Sequence, residues 1–221
     1  MSLDLASMFD PSALSIVMAG TALATLARVG WSNCLHALRS AIRLMGKGFD
    51  ENANRTALAR MARAIQKRGV LGAGEPLPPD PALAKAVVEL VRTGSVTAME
   101  DSLSQHSANG AHRSGRAAIV FEQAGELAPV FGLVGTLFAM TQIAPGAGAD
   151  ATTATFGAIA TAVLSSLYGV LSAHLIFLPV AGAVSRRARD EAATRLALLE
   201  WLSHEIAEFV PSSKTTLKPA A

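Results

Sequence analysis

The chain has 221 residues, of which 51% are hydrophobic, 5% aromatic and 16% charged, and its mean hydropathy is +0.37. Soluble domains carry roughly 25% charged residues, and a net charge of +2 is too small to suggest a polyanion partner despite a pI near 9.0; a disordered chain and a nucleic-acid binder are both excluded. A single cysteine, Cys34, rules out an internal disulfide and a disulfide-stapled secreted domain.

The first element is a charge-free run from Pro11 to Ala27, ending at Arg28. A bilayer core of about 30 Å needs about 20 apolar helical residues. The run reaches that length through Val29, Gly30 and Trp31, with Arg28 able to snorkel and Trp31 at interface depth. Residues 1–10 contain Asp4 and Asp10 and no Lys or Arg, so this run is expected to stay as an anchor and not to be cleaved as a signal peptide.

A block of charged, helix-patterned sequence follows. Leu35, Leu38, Ile42 and Met45 recur at helical spacing, then Leu58, Met61 and Ile65, then Leu83, Val87, Leu90 and Val91. The segment Gly72–Pro81 is rich in Gly and Pro and divides the block into two helical pairs. His112–Glu126 meets no strong breaker, so a helix is expected to run on into the second charge-free stretch.

That stretch, Leu127–Ala149, and the next, Ala151–Ser185, are each long enough to span. Arg186–Phe209 then reads as amphipathic, with Leu196, Leu199, Leu202 and Ile206 on one face. Pro211–Ala221 is polar and is expected to be disordered. Lys and Arg number 12 between Trp31 and Glu126 and 6 after Ser185, with none in the first ten residues or around 145–155. The positive-inside rule then puts the N-terminus and the 145–155 connector outside, and the large loop and tail in the cytoplasm. The predicted fold is an all-α integral membrane protein with three transmembrane helices. Its parts are an N-terminal segment and first span (1–33), a cytoplasmic helical domain (34–125), two paired spans (126–185) and a cytoplasmic amphipathic helix with its tail (186–221).

The two long spans carry the candidate chemistry. At about 100° per residue, Thr161, Ser165, Tyr168 and Ser172 fall within about 60° of one another, a hydroxyl stripe on an apolar helix. Ser166 is offset by about 100°, and His174 lies nearly opposite the stripe. Pro129, Gly132, Thr136 and Ala139 form a face of mostly small residues, which lets helices approach closely. Two readings fit the stripe: helix packing, with each hydroxyl bonded to its own i−4 carbonyl, or the wall of an ion pathway. His174 reads as a structural or interface histidine, or as an intramembrane functional group. No Asp or Glu lies inside any span. Proton or sodium conduction normally needs a carboxylate there, so either the chain conducts nothing or a partner supplies one. No nucleophile–base pair, metal-ligand spacing or phosphate loop is present, so neither an enzyme nor a metal site is expected.

Glu126–Ile143 (ELAPVFGLVGTLFAMTQI) followed by Ala160–Ala181 (ATAVLSSLYGVLSAHLIFLPVA) resembles the MotA/TolQ/ExbB family of motor channel subunits. The matching residues are Ala128-Pro129, Gly132, Gly135-Thr136, Ser166, Gly169 and Pro179. Phe9-Asp10-Pro11-Ser12, Val17 and Gly20-Thr21 look like the loop entering the second transmembrane helix of MotA proteins. MotA subunits have four spans, so the chain is expected to be a MotA-like subunit without the first. ExbB and TolQ, which have three spans with the N-terminus outside, carry a Glu where this chain has Thr161. MotA proteins have a Thr at Ser166. The Arg with which rotor-gripping members flank a Gly-rich loop matches Gln66, and their Glu matches Glu75, displaced by one.

The resemblance implies a ring-forming subunit, a pentamer, around a pair of single-span MotB/ExbD/TolR-like partners that carry the essential Asp. Inward proton or sodium flow would drive rotation around that pair, in the bacterial inner membrane. Thr136, Thr161, Ser165, Ser166 and Tyr168 would line the ion pathway. Pro129 and Pro179 would couple it to the cytoplasmic helices, and Gly132, Gly135 and Gly169 would serve packing. Beyond the transported ion no cofactor is implied, and no nucleic acid. Protons are the first expectation, with sodium the alternative because sodium-driven members tend to carry hydroxyls at these positions. The alternatives to a MotA-like stator are an ExbB/TolQ-type energiser of an envelope process and a non-conducting membrane scaffold.

Overall fold

A computed structural model describes residues 10–44, 46, 48–70, 77–143 and 149–210. Phe9, Met45, residues 71–76 with Glu75, residues 144–148 of the connector and the 211–221 tail lie outside the described residues. Among the described residues there is no strand. The helices are α1 (Pro11–Val29), α2 (Trp31–Leu44), α3 (Glu51–Arg68), α4 (Pro81–Thr93), α5 (Val96–Met140), α6 (Ala149–Leu171) and α7 (Leu178–Ile206), with a π-helical turn, Ser172–Phe177, joining α6 to α7. Three stretches, Pro11–Val29, Val96–Met140 and Ala151–Ile206, are long and apolar enough to cross a membrane. The chain is therefore the expected all-helical protein with three spans.

The chain divides into two units, one of residues 1–43 and 114–185, the other of 44–113 and 186–221. In the first, α1 starts where Asp10 caps it: its carboxylate accepts from the Ser12 and Ala13 amides, with Pro11 opening the helix. One face of α1 is buried at four-residue intervals (Ala13, Val17, Thr21, Thr25). The rest looks outward, as Leu23 does, and suits lipid. Gly30, at φ 89°, then breaks the helix in a conformation open to glycine alone.

α5 runs unbroken through His112–Glu126, as its lack of breakers foretells, and continues across Pro129. The third span behaves differently at its own proline. Pro179 has no N–H, and its ring would strike the carbonyl four residues back in a regular helix. The preceding turn widens instead: the Leu178 amide donates to the Ala173 carbonyl, five residues back. Pro179 then falls in the first turn of α7, where proline is tolerated.

The second unit has a conventional apolar core. Leu58, Met61 and Ile65 of α3, Leu83, Val87 and Leu90 of α4, Met99 and Leu103 of α5, and Leu199, Leu202 and Ile206 of α7 form one buried cluster. Leu196 does not join it and is 61% exposed, because at about 60° from Leu199 it falls on the rim of the face. Polar contacts fasten the edge of this core. Asp80 caps α4 through the Ala82 and Leu83 amides, takes two bonds from Arg195 at 2.8 and 3.0 Å, and donates its amide to Asn54. Burial works against the Arg195 charge, but Asp80 and Glu191 outweigh it and hold the guanidinium above its ordinary range. The Phe49 ring lies 5.1 Å from the same guanidinium.

Candidate functional site

The small residues of the two long spans meet face to face. A Cβ on Gly132 would lie 3.0 Å from the Ser165 carbonyl oxygen and 3.3 Å from the Gly169 Cα. A Cβ on Gly169 would lie 2.7 Å from the Ala128 carbonyl oxygen and 3.2 Å from the Pro129 Cα. One on Gly135 would collide with the Ser165 hydroxyl. Backbone therefore rests on backbone along this seam, which only glycine permits. Where α1 meets α5 the contact is of backbone with a side chain, Gly20 lying under the Phe131 ring.

The hydroxyl stripe faces inward, to α1 and α5. Ser165 is fully buried beside Gly135, and its Oγ has no hydrogen-bond partner among the described residues. Ser172 is buried and donates to the Gly169 carbonyl. Thr161 and Tyr168 are drawn to a residue from the other end of the chain. The Thr161 hydroxyl donates to the Asp10 carboxylate at 2.7 Å, and the Asp10 amide donates to the Tyr168 hydroxyl at 3.0 Å. Only one of Asp10's oxygens caps α1, which leaves the other for Thr161.

The pathway candidates thus fall into separate settings. Thr161 and Tyr168 belong to the α1-facing side of α6, and Ser165 to its seam with α5. Ser166, about 100° away, is half-buried on the other flank. Thr136 is half-buried and donates to its own helix, at the Leu133 carbonyl. Pro129 lies on the glycine seam; Pro179 is exposed just after the π turn. His174 is on that turn and exposed. Sequence reasoning missed Asp10. The available signal is the Phe9-Asp10-Pro11-Ser12 motif, which by itself marks only a helix entry. Among the described residues no cluster of His, Cys, Asp or Glu could hold a metal ion.

Two paired spans locked on glycine, a hydroxyl stripe with no acidic residue between Ala151 and Ser185, and a compact helical extramembrane unit suit a membrane channel subunit. The sequence model of the MotA/TolQ/ExbB proton channel family matches residues 75–196, more than half of the chain. The chain belongs to the MotA/TolQ/ExbB family. This is a family of channels and motor stators and not of enzymes.

Among its relatives, the MotA/TolQ/ExbB chain is 26% identical over 196 residues to chemotaxis protein PomA of Vibrio alginolyticus, covering 86% of this chain and 75% of PomA. It is 31% identical over 113 residues to the uncharacterized protein YtxD of Bacillus subtilis, covering 51% of this chain and 37% of that protein. Its fold is similar to that of C. jejuni MotAB, with a TM-score of 0.79 at 18% identity over 95% of this chain and 82% of the other. The flagellar MotAB stator complex from Bacillus subtilis gives 0.77 at 20% identity, covering 92% and 81%.

Proposed function

We propose that this chain is the ring-forming subunit of an ion-driven membrane motor of the MotA type, assembled as a homopentamer around single-span partners in the bacterial inner membrane. The observation that carries this reading is the α5–α6 pair: two long apolar helices held backbone to backbone by Gly132, Gly135 and Gly169, with no acidic residue between Leu127 and Ala149 or between Ala151 and Ser185. A coupling carboxylate in the membrane must then come from another chain. The similarity to MotAB stator structures and to PomA supports a MotB-like partner bearing an Asp in its span. No resident cofactor is part of the reading; the transported ion is a proton, with sodium the alternative.

The test is co-purification followed by transport. The full chain should retain a single-span protein with an intramembrane Asp. Activity of the pair should persist in choline medium at fixed pH and collapse with a protonophore. Dependence on sodium, weakened by Thr136→Ala or Ser166→Ala, would assign sodium instead. A chain that retains no such partner would be a scaffold. The topology in this reading puts the N-terminus outside, so a cysteine at Gly148 in a Cys34→Ala background should react with an impermeant thiol reagent on intact cells.

A second reading is the energiser of another envelope process. It is favoured at Gln66, the position at which rotor-gripping relatives carry Arg. Gln66 is engaged within the chain, donating to the Glu205 carbonyl and carboxylate at 3.4 and 3.3 Å. Loss of motility on deletion of the chain supports the stator; a retained motility with an envelope defect supports the energiser.

A further inference from the structure

The net charge of +2 is unevenly distributed. α3 carries Arg55, Arg60, Arg63, Lys67 and Arg68 against one acid, Glu51. Asn54, Leu58, Met61 and Ile65 are buried on its inner face, which fixes how the helix is turned and commits the opposite face to solvent. On that outer face lies a hollow of about 350 Å³, lined by Asn52, Arg55, Thr56, Ala59, Arg60 and Arg63. Around the helix Arg55 and Arg60 stand about 140° apart, with Ala59 and Thr56 between them as the floor, and Arg63 closes the far end one turn beyond Ala59. Asn52, Thr56 and the three arginines are exposed. Among the described residues none of the three guanidiniums is paired with a carboxylate.

The chemistry of the lining selects the ligand. The guanidiniums only donate, and the Asn52 amide and Thr56 hydroxyl can donate beside them. No acid lines the hollow, since Glu51, one turn before Arg55, lies outside it. Arg60 and Arg63 are at i,i+3 and repel one another, a cost that an anion between them removes. Planar guanidinium forks match phosphate oxygens two at a time. One phosphate group carries about −1.5 to −2 charges at neutral pH, short of the three positive charges, so two or more phosphates on one molecule are the better match. The volume falls in the small-molecule range of roughly 300–1,000 Å³. A docked acidic protein would need large apolar or aromatic anchors at its centre, and α3 exposes none, because Leu58, Met61 and Ile65 are all buried. We propose that the outer face of α3 is a binding site for a small polyphosphate ligand, with Arg55, Arg60 and Arg63 gripping its phosphates and Asn52 and Thr56 orienting them. The site belongs to the extramembrane unit and its occupancy is read without ion flow, so it stands or falls separately from the motor reading.

Isothermal titration of the full chain in mild detergent compares tripolyphosphate and ATP with sulfate at matched ionic strength, with EDTA present to keep divalent cations off the probes. Tripolyphosphate and ATP should saturate one site per chain, and sulfate should not. Arg60→Ala and Arg63→Ala should each weaken binding at least about tenfold, the loss expected of one charge-assisted pairing. Lys85→Ala, exposed on α4, should change nothing. Arg60→Lys with Arg63→Lys keeps the charge but loses the forks, so it should weaken binding as well. Tighter binding of ATP than of tripolyphosphate assigns a nucleotide as the ligand, and equal binding assigns condensed phosphate alone. Failure of both probes to bind, binding that sulfate matches, or binding untouched by the alanine changes overturns the proposal. A lysine pair that binds like the parent overturns the recognition by guanidinium forks. Displacement of tripolyphosphate by a glutamate-rich peptide at equal charge also overturns the proposal, and makes the hollow a seat for an acidic protein.

Discussion

Thr161 and Asp10 are 151 positions apart and share a hydrogen bond of 2.7 Å. The bond ties the cap of the first span to the middle of α6, and Tyr168 two turns on receives the Asp10 amide. One side chain therefore starts a helix and docks it.

The two roles separate by substitution. Asn is as good a cap as Asp and can still accept from Thr161, so Asp10→Asn should leave stability within about 0.5 kcal/mol. Asp10→Ala removes the cap and leaves the Thr161 hydroxyl unpaired. It should cost about 1–2 kcal/mol, read as a lower unfolding midpoint in detergent. Equal losses for the two variants would show that charge, and not capping, holds α1 in place.

At the glycine seam, Gly169→Ala places a methyl 2.7 Å from the Ala128 carbonyl oxygen, and its three nearest neighbours are all backbone. The helices must part, at about 1–3 kcal/mol. Gly157→Ala on the same helix meets nothing within 4 Å and should cost nothing. Thermal unfolding of the purified protein compares the two. A seam variant as stable as the control would mean that α5 and α6 do not meet as described.

The π turn holds one more residue than a regular turn. Deleting Leu175 should let the turn close without rotating what lies beyond it, but it returns the Pro179 ring to the carbonyl four residues back, so the chain should stay folded and assembled at a cost of about 3 kcal/mol. Deleting Val163 from the α-helical part rotates every later residue by about 100° and should abolish assembly. Size-exclusion profiles in mild detergent distinguish them.

In the extramembrane unit, Asp80 caps α4 and neutralises Arg195. Asp80→Ala removes both functions and leaves a guanidinium only 20% exposed with Glu191 as its remaining carboxylate. The expected loss is about 2–4 kcal/mol, measured by denaturant unfolding. Arg195→Met should cost less, since it removes the charge together with the need for its partner.

Helical spacing identified Leu58, Met61 and Ile65, Leu83, Val87 and Leu90, and Leu199, Leu202 and Ile206, and all of them lie in one core. The charge-free runs coincide with the three spans for a similar reason, since both signals are local and repeat along one helix. The same spacing at Leu35, Leu38 and Ile42 marks an exposed face, because periodicity reports that a face is apolar and not what it touches. The pairing of Asp10 with Thr161 was out of reach: nothing in either segment encodes a contact made only when α1 packs on α6. The π turn left one trace, Pro179, since a single extra residue barely disturbs a hydrophobic period. His174 shows the effect, displaced onto a turn that regular geometry does not place.

The bond from Thr161 to Asp10 also gives the stripe a direction. A hydroxyl has one proton and two lone pairs, and the proton of Thr161 is committed to a carboxylate that can only accept. Whatever else reaches that oxygen meets electron pairs and no donor. Tyr168 stands in the reverse relation, its oxygen already taking a proton from the Asp10 amide. Along one face of α6, two alcohols that look alike in the sequence are oriented in opposite senses by the two halves of a single residue.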